Sequence, residues 1–489
     1  MGIEGSEQWL ALQTSFPALM GVQGSSLGRV PGVRRFLAYL CCLMAVAGLT
    51  LISGFTPRQV MAATIFTGFI AGTLLFWKFR LAFALAGVAV LLAAGVLDLP
   101  HLIEFAGLDI ILFLVGMMVV IGFLERRRFF EVVTEAILRS VGGGAHRVTA
   151  ALMVLAALAA ALVDEVTSIL FMIAVTLQVT RRFSLRPVPF LMMVVFATNI
   201  GSSATVVGNP IGVMIALRAG LTFPDFLRYA SPVAAAALAL AIPLCFLIFR
   251  RDLAQLDAGL AKAGGAAVDV EPIAPRDLAV GGVLFSGTIL GLIAHHRLEE
   301  LLGLDKNALL LGVALFAAGI ALLLEGEGAR ALVERHVDWW TLTFFLLLFA
   351  SAGTLRFVGV TGRLADGLLA STGGGPAALL LMVTWSAGLL SAVMDNVLAV
   401  ATFIPIVQDL GRTGAETGPL WWGLLFGGTL LGNLTLIGST ANIVALGILE
   451  REEQIHLGFR EWIGPGALVA IPTLALATGL LFLQQRWWF

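Results

Sequence analysis

Two polar, glycine-rich stretches interrupt long apolar regions of the chain: Asn199-Ile-Gly-Ser-Ser-Ala-Thr-Val-Val-Gly-Asn-Pro210 and Gly432-Asn-Leu-Thr-Leu-Ile-Gly-Ser-Thr-Ala-Asn442. An unpaired backbone or side-chain polar group costs several kcal/mol in lipid, so such a stretch is tolerated only where it lines a cavity. Both stretches therefore predict a helix that breaks around a substrate site.

The composition indicates what surrounds most of the chain. Hydrophobic residues make up 59% of the 489 residues and charged residues 12%, whereas charged residues are about 25% of an average soluble protein. The sequence therefore predicts an all-α polytopic membrane protein whose main partner is the lipid bilayer. The formal net charge of -1 gives no indication of nucleic-acid binding.

Apolar runs of about 20 residues predict the membrane crossings. Two longer runs, 147–180 and 376–408, carry a polar break in the middle, and each predicts a re-entrant hairpin whose tip stops inside the membrane. About eleven further spans are expected, at 36–55, 60–77, 79–98, 107–124, 188–218, 230–250, 277–296, 304–324, 338–356, 418–449 and 463–485.

Charge placement predicts the orientation. Basic residues such as Arg34, Lys78 and Arg126 fall on one side if the first hairpin returns to the side it entered, and the acidic loop from Asp98 to Asp109 lies opposite. By the positive-inside rule we expect a multi-pass protein of the cell (inner) membrane with a cytoplasmic amino terminus.

The two halves of the chain repeat each other. Asp164-Glu-Val-Thr matches Asp395-Asn-Val-Leu at an offset of 231 residues, and Thr205-Val-Val-Gly208 matches Thr435-Leu-Ile-Gly438 at an offset of 230. Phe226–Pro232 also resembles Phe459–Pro465. Five spans and one hairpin in each half make the second copy inverted, and inverted repeats with a mid-membrane site are a recurrent plan of secondary transporters.

This pattern divides the chain into five predicted parts. Each repeat is expected to contain scaffold helices, one hairpin and one broken helix. The parts are a cytoplasmic segment 1–35, an extra first transmembrane helix 36–59, repeat 1 at 60–251, a cytoplasmic linker 252–275 and the inverted repeat 2 at 276–489.

Carboxylates lie at both predicted hairpin tips. Asp164 and Glu165 are in the middle of the first hairpin, and Asp395, followed by Asn396, is in the middle of the second. A carboxylate at that depth costs about 2.5–3.5 kcal/mol on insertion scales and must find a cation, a proton or a donor, so proton or cation exchange is chemically available. Alternatively each Asp caps the following half-helix, and the two interpretations are compatible. Glu165 has no acidic counterpart in the second repeat.

The glycine-rich stretches add neutral oxygens and amides to these carboxylates. Helix N-termini aimed into the gap would favour an anion, whereas exposed carbonyls and carboxylates would favour a cation. A single Ser or Gly serves equally well in helix packing, but the repetition of the cluster favours a site. The candidate residues in the two stretches are Ser202, Ser203, Thr205, Gly208, Asn209, Asn433, Thr435, Gly438, Ser439, Thr440 and Asn442.

These motifs resemble signatures of the ion transporter superfamily. The stretches Ala197–Pro210 and Gly432–Gly447 look like the loops of its ArsB/NhaD and P protein branch, and Val163–Thr167 and Ser391–Leu398 resemble that branch's hairpin tips. The similarity covers roughly residue 60 to the end. It implies a homodimeric secondary transporter in which hairpins and broken helices form a transport domain that moves like an elevator past a scaffold.

The same resemblance implies which residues form the site. From repeat 1 and then repeat 2 they are Asp164, Thr167, Asn199, Ser202, Thr205 and Asn209, and Asp395, Asn396, Asn433, Thr435, Ser439 and Asn442. The dicarboxylate and sulfate symporters of the wider superfamily carry Ser-Asn-Thr at their hairpin tips, where this chain has acidic residues. Acidic tips occur in sodium/proton antiporters and arsenite effluxers.

Three functions remain open. The first is a proton- or sodium-coupled ion antiporter, in which Asp164 and Asp395 exchange protons for a monovalent cation bound near them. The second is a transporter of arsenite, another small oxyacid or a small organic anion of the dicarboxylate type. The third is a channel or a non-transporting scaffold, against which the two costly polar breaks argue.

Residues outside the polar stretches indicate no catalysis. The six histidines lie near predicted span ends or in loops and form no zinc or nucleophile motif. We therefore expect no enzymatic activity and no cofactor beyond a coupling ion, H+ or Na+. Tryptophans near predicted span ends, Trp462 among them, are expected to anchor the chain at the membrane interface.

Overall fold

A computed structural model describes residues 31–141, 143–262 and 275–488. The predicted cytoplasmic segment therefore lies almost entirely outside the described residues. Within those ranges the chain is built from helices and the turns that join them, without a strand. The predicted all-α, polytopic fold class is confirmed.

The first half of the chain forms one hairpin and one broken helix among other helices. Helices α7 and α8 are the arms of the first hairpin, and α9 and α10 are the two halves of the first broken helix. The helices are α1 (Pro31–Ile52), α2 (Pro57–Leu75), α3 (Arg80–Ala93), α4 (Leu99–Phe105), α5 (Leu108–Glu125), α6 (Phe129–Ser140), α7 (Ala145–Leu162), α8 (Glu165–Arg182), α9 (Pro187–Ser202), α10 (Pro210–Ala219), α11 (Ser231–Ile248) and α12 (Arg250–Lys262).

The second half has the same succession. Helices α18 and α19 are the arms of the second hairpin, and α20 and α21 are the halves of the second broken helix. The helices are α13 (Pro275–Leu302), α14 (Ala308–Glu325), α15 (Ala329–His336), α16 (Trp339–Phe357), α17 (Val360–Thr372), α18 (Pro376–Val393), α19 (Asn396–Arg412), α20 (Gly418–Leu430), α21 (Thr440–Glu453) and α22 (Phe459–Trp488).

Ten of the helical segments that the structure describes are long and apolar enough to cross a membrane. Two of the ten are α7 and α18, the first arms of the hairpins. The predicted spans 79–98, 188–218 and 418–449 are not among them. Helix α3 has only 14 residues, and each broken helix is divided into halves that are too short to span the bilayer alone.

The chain divides into two compact units. Unit 1 contains the described residues up to Ile111 together with Asp338–Val383 and Leu398–Trp421. Unit 2 contains Leu112–Val337, Thr384–Val397 and Trp422–Phe489. Each unit therefore takes segments from both predicted repeats.

Unit 1 is stabilised by aromatic stacking and by one buried carboxylate. Phe69 of α2 stacks on Phe344 of α16 with ring centroids 5.1 Å apart. Asp409 of α19 accepts hydrogen bonds from the Thr361 hydroxyl at 2.5 Å and from the Arg356 guanidinium at 3.1 Å. This carboxylate therefore joins the ends of α16, α17 and α19.

Helix α9 lies in the interior of unit 2. Every one of its residues from Pro187 to Ser202 is buried, as expected of a helix that is apolar all round. In the same unit, Glu325 pairs with Arg126 and Arg127 at 2.8 Å each, which joins the ends of α5 and α14. The first helix break thus begins at the end of a fully buried helix of unit 2.

The predicted linker 252–275 begins as part of a packed helix, α12. Its buried face consists of Leu253, Leu256 and Leu260. Asp257 Oδ1 accepts the backbone N–H of Ala145, the first residue of α7, at 2.9 Å. Gly144 at the N-cap position has no side chain to do this, so α12 supplies the cap for the first hairpin.

Candidate functional site

Each hairpin tip is a helix start capped by an aspartate. Asp164 Oδ1 accepts the backbone N–H groups of Val166 and Thr167, both at 2.8 Å. Asp395 Oδ1 accepts the backbone N–H of Val397 at 3.0 Å. The capping interpretation of these two residues therefore agrees with the geometry, because Asp at this position satisfies N–H groups that a helix leaves open.

The second halves of both broken helices are capped in the same way by neutral residues. Asn209 Oδ1 accepts the backbone N–H of Gly212 at 2.8 Å, at the start of α10. Ser439 Oγ accepts the backbone N–H of Ala441 at 3.2 Å, at the start of α21. Four described helices, α8, α10, α19 and α21, thus have their first residues in unit 2 at a hairpin tip or a helix break, each with the partial positive charge of a helix N-terminus.

Matched contacts tie each hairpin to the broken helix of its own repeat. The Thr205 hydroxyl donates to the carbonyl oxygen of Ala161, and the Thr435 hydroxyl donates to that of Ala392. The two threonines are related by the repeat offset, and so are the two alanines. In both repeats, therefore, an equivalent threonine holds the break against the hairpin.

The breaks also depend on glycines at matched positions. A Cβ atom at Gly208 would overlap the backbone of Ser202, and one at Gly438 would lie 2.5 Å from the carbonyl oxygen of Gly432. In each repeat the chain folds back on itself so closely that only hydrogen fits in place of a side chain.

Glu165 is the carboxylate at the breaks that caps no helix. Its side chain is 1% exposed and receives hydrogen bonds from the Ser202 hydroxyl at 3.3 Å and the Asn396 amide at 3.2 Å. Glu165 and Asn396 are 231 residues apart, so they occupy equivalent positions in the two repeats. The two hairpin tips therefore meet directly through this pair.

A second contact between the repeats is made by amides. Asn199 Nδ2 donates to Asn433 Oδ1 at 2.7 Å and to Asn442 Oδ1 at 2.8 Å. Asn199 Oδ1 accepts the Ser439 hydroxyl at 2.9 Å. All four side chains are at most 1% exposed, so this network joins α9 to the second break entirely inside unit 2.

The remaining candidate residues divide into those that face the breaks and those that do not. The Thr440 hydroxyl donates to Asp395 Oδ2 at 2.6 Å, and Asn209 Nδ2 donates to Ser202 Oγ at 2.8 Å. Ser203 turns away, because its hydroxyl donates to the carbonyl of Ile200 in its own helix turn at 2.7 Å. The ligand roles expected for these residues stay predictions.

Among the described residues, no three His, Cys, Asp or Glu side chains lie close enough together to hold a metal ion. The described part of the chain also has no Lys or Arg among its buried residues. The carboxylates at the breaks therefore accept hydrogen bonds from hydroxyls, amides and the N–H groups of helix N-termini. A monovalent cation near Asp164 and Asp395 stays a prediction.

The position of Trp462 near a predicted span end indicated the membrane interface, but the structure buries this residue beside the second break. Its side chain is 0% exposed, and Nε1 donates to the carbonyl oxygen of Asn433 at 3.0 Å. The ring also meets Phe196 edge-on at 5.5 Å. The match between Phe226–Pro232 and Phe459–Pro465 was the available signal, since it placed Trp462 inside a repeated motif.

Several known proteins are similar to the chain in sequence. The chain is 34% identical over 383 residues to an uncharacterized transporter of Mycobacterium tuberculosis. This match covers 77% of this chain and 86% of the relative. The chain is 26% identical to the human P protein over 83% of this chain and 59% of that protein. A 46 kDa membrane protein of Mycobacterium leprae is 31% identical over 82% of this chain and 93% of the relative.

The fold also resembles a solved structure. The crystal structure of the YdaH transporter of Alcanivorax borkumensis, described as having an unusual topology, matches with a TM-score of 0.57 over 79% of this chain and 87% of that one. The identity of 17% limits this likeness to the fold.

A family model described as citrate transporter matches residues 70–427 and 300–487. The two matches together cover most of the chain, including both hairpins and both breaks. Together with the relatives that are named transporters, they show a membrane transporter. The chain belongs to the citrate transporter family of the ion transporter superfamily.

Proposed function

We propose that the chain is a secondary active transporter that exchanges protons for a monovalent cation, with the hairpin-tip carboxylates as the exchange groups. One observation carries the proposal. Asp164, Glu165 and Asp395 lie at the helix breaks of unit 2, and no Lys or Arg is among the buried residues of the described chain. Negative charge at membrane depth without a basic partner is neutralised by a proton or a mobile cation.

The three carboxylates have different parts in this proposal. The caps formed by Asp164 and Asp395 hold α8 and α19 in place, so these residues set the charge of the site while they keep its shape. Among the described residues, Glu165 caps no helix and is held by two neutral donors, Ser202 and Asn396. Proton uptake at Glu165 therefore breaks no helix cap, which makes this residue the principal exchange group.

Exchange at Glu165 also explains how ion binding reaches both hairpins. An ionised carboxylate accepts charge-assisted hydrogen bonds from both of its neighbours, whereas a protonated one is neutral and accepts them more weakly. The contact with Asn396, which joins the two hairpin tips, therefore changes with the charge of Glu165.

In the proposed cycle the hairpins and broken helices move like an elevator. The proposed protein is a homodimer of the inner membrane, and its amino terminus is cytoplasmic.

A second candidate function is transport of an anion, such as a small oxyacid or an organic acid. Four helix N-termini begin at the breaks, and such termini attract negative charge. The description of the family model as citrate transporter also favours an organic acid. The carboxylates would then carry the coupling protons.

The test is ion transport by the purified protein in liposomes that contain a pH-sensitive dye. Sodium, lithium, potassium, arsenite, succinate and citrate are added in turn. The wild type is compared with Glu165→Gln, Asp164→Asn and Asp395→Asn. Glu299→Gln is the matched control, because Glu299 is 2% exposed and accepts the Leu309 N–H at 2.8 Å outside the breaks.

The proposal predicts a proton flux that one monovalent cation drives, that Glu165→Gln abolishes and that Glu299→Gln retains. A flux that arsenite or an organic acid drives, without any response to the cations, would instead support the second candidate. Cation-driven flux of wild-type size in all three carboxylate variants would rule out exchange at the hairpin tips.

A further inference from the structure

The side chain of Asn199 forms hydrogen bonds with residues of the opposite repeat. It lies in α9 one turn before the first break, and its amide binds Asn433, Asn442 and Ser439. An asparagine side chain has two N–H donors and one oxygen. Both kinds of group are thus engaged with the second break.

The partner amides are held in one orientation. Asn442 Nδ2 donates to the carbonyl oxygens of Gly432 and Thr435 at 2.9 and 2.8 Å. Asn433 Nδ2 donates to the carbonyl oxygen of Phe196 at 3.3 Å. Because the Nδ2 atom of each partner donates to backbone carbonyl oxygens, each partner presents its side-chain oxygen to Asn199. Position 199 must therefore supply hydrogen-bond donors.

We propose that Asn199 is a positioning residue that fastens the first broken helix to the second, so that the two move as one body, and that it does not bind the transported solute. This differs from the ligand role implied by the resemblance. The proposal for Asn199 requires that the protein transports some solute, as members of its family do. It does not depend on the coupling ion proposed above.

Two substitutions at the same position distinguish fastening from ligation. Asn199→Ala leaves the oxygens of Asn433 and Asn442 without a donor. Asn199→Asp adds a carboxylate that faces those same two oxygens, so acceptor meets acceptor and Asp is the worse replacement. If Asn199 bound a cation, the extra negative charge of Asp would preserve or increase cation affinity, and Asp would be the better replacement.

The first readout is the thermal midpoint of the purified protein in detergent, followed by tryptophan fluorescence, because it needs no ligand. We expect Asn199→Ala to lower the midpoint by roughly 4 °C and Asn199→Asp to lower it further. The second readout is sodium-driven proton flux in liposomes, corrected for the amount of folded protein. We expect the maximal rate to fall at least tenfold in the Asp variant, with the half-saturating sodium concentration unchanged within twofold.

A midpoint of the Asp variant at or above that of the Ala variant would overturn the proposal, and so would a sodium half-saturation that shifts more than tenfold. If neither variant folds, Asn199→Ser and Asn199→Cys replace them. Serine still donates one strong hydrogen bond, so it should give the higher midpoint, and the reverse order would overturn the proposal. A wild type that shows no sodium response contradicts the proposed coupling ion and leaves the order of midpoints as the test of Asn199.

Discussion

Replacing Gly438 by alanine tests whether the second break has the close backbone approach described above. The added Cβ would lie 2.5 Å from the carbonyl oxygen of Gly432 and 3.0 Å from its Cα atom. Both are backbone atoms, so they cannot rotate away as a flexible side chain would. The same carbonyl oxygen accepts the Asn442 amide at 2.9 Å, and a shift of Gly432 would weaken that bond.

The size of the effect follows from these contacts. Overpacking a well-packed site costs about 1–3 kcal/mol, and a lost buried hydrogen bond adds about 1 kcal/mol. We therefore expect Gly438→Ala to destabilise the protein by about 2–4 kcal/mol. It should also reduce transport, because the start of α21 moves with the break.

Gly479 provides the matched control. It lies in α22, and no atom is within 4 Å of a Cβ built there. Alanine is favoured over glycine inside a helix by about 1 kcal/mol, so Gly479→Ala should leave stability unchanged or raise it slightly. Thermal midpoints in detergent and flux in liposomes are compared for both variants. Equal midpoints for Gly438→Ala and Gly479→Ala would refute the reasoning.

Substitutions at three further positions test individual contacts by the same thermal assay. Asp257→Ala should cost about 1 kcal/mol because the first N–H of α7 loses its cap, and Asp257→Asn should retain most of that stability; equal losses would contradict the capping role. Trp462→Phe removes the indole N–H from the Asn433 carbonyl and leaves a smaller ring in a fully buried site, so a loss of more than about 1 kcal/mol is expected, and no loss would show that this contact is unimportant. Thr440→Val should cost about 1.5–3 kcal/mol through its bond to Asp395, with Thr440→Ser close to wild type.

The helix breaks were predictable because a polar interruption is costly in a membrane-spanning segment and stands out from the apolar sequence around it. A polar, glycine-rich interruption of an apolar run has few structural solutions, and the stretches at Asn199 and Gly432 begin where α9 and α20 come to an end. The hairpins were predictable for the same reason, since Asp164 and Asp395 stand at the turns between their arms. The repeat offset then related the two sites to each other.

The partners of individual side chains were not predictable. The repeat argument favoured Asp164 and Asp395 over Glu165, because only they recur as acids. In the structure the counterpart of Glu165, Asn396, is its hydrogen-bond partner. A pairing across an inverted repeat depends on how the copies pack, and a comparison of the copies residue by residue does not contain that information.

The contact of α12 with the first hairpin was not predictable for the same reason, because it depends on how the helices pack. Asp257 is 112 residues from Ala145, and it lies in a polar segment whose composition is typical of a linker. The packing of three leucines in the structure shows that the described part of this segment, up to Lys262, is a packed helix. The orientation of the Asn199, Asn433 and Asn442 amides likewise follows from the backbone carbonyls around them, which sequence alone does not locate.

The most direct test of the central claim is proton release from the purified protein on addition of sodium chloride, measured with a pH dye in weakly buffered detergent solution. If Glu165 exchanges a proton for a cation, the wild type and Glu299→Gln release protons in a saturable manner and Glu165→Gln releases none. Equal release from Glu165→Gln and the wild type would show that the exchanging group lies elsewhere and would contradict the account.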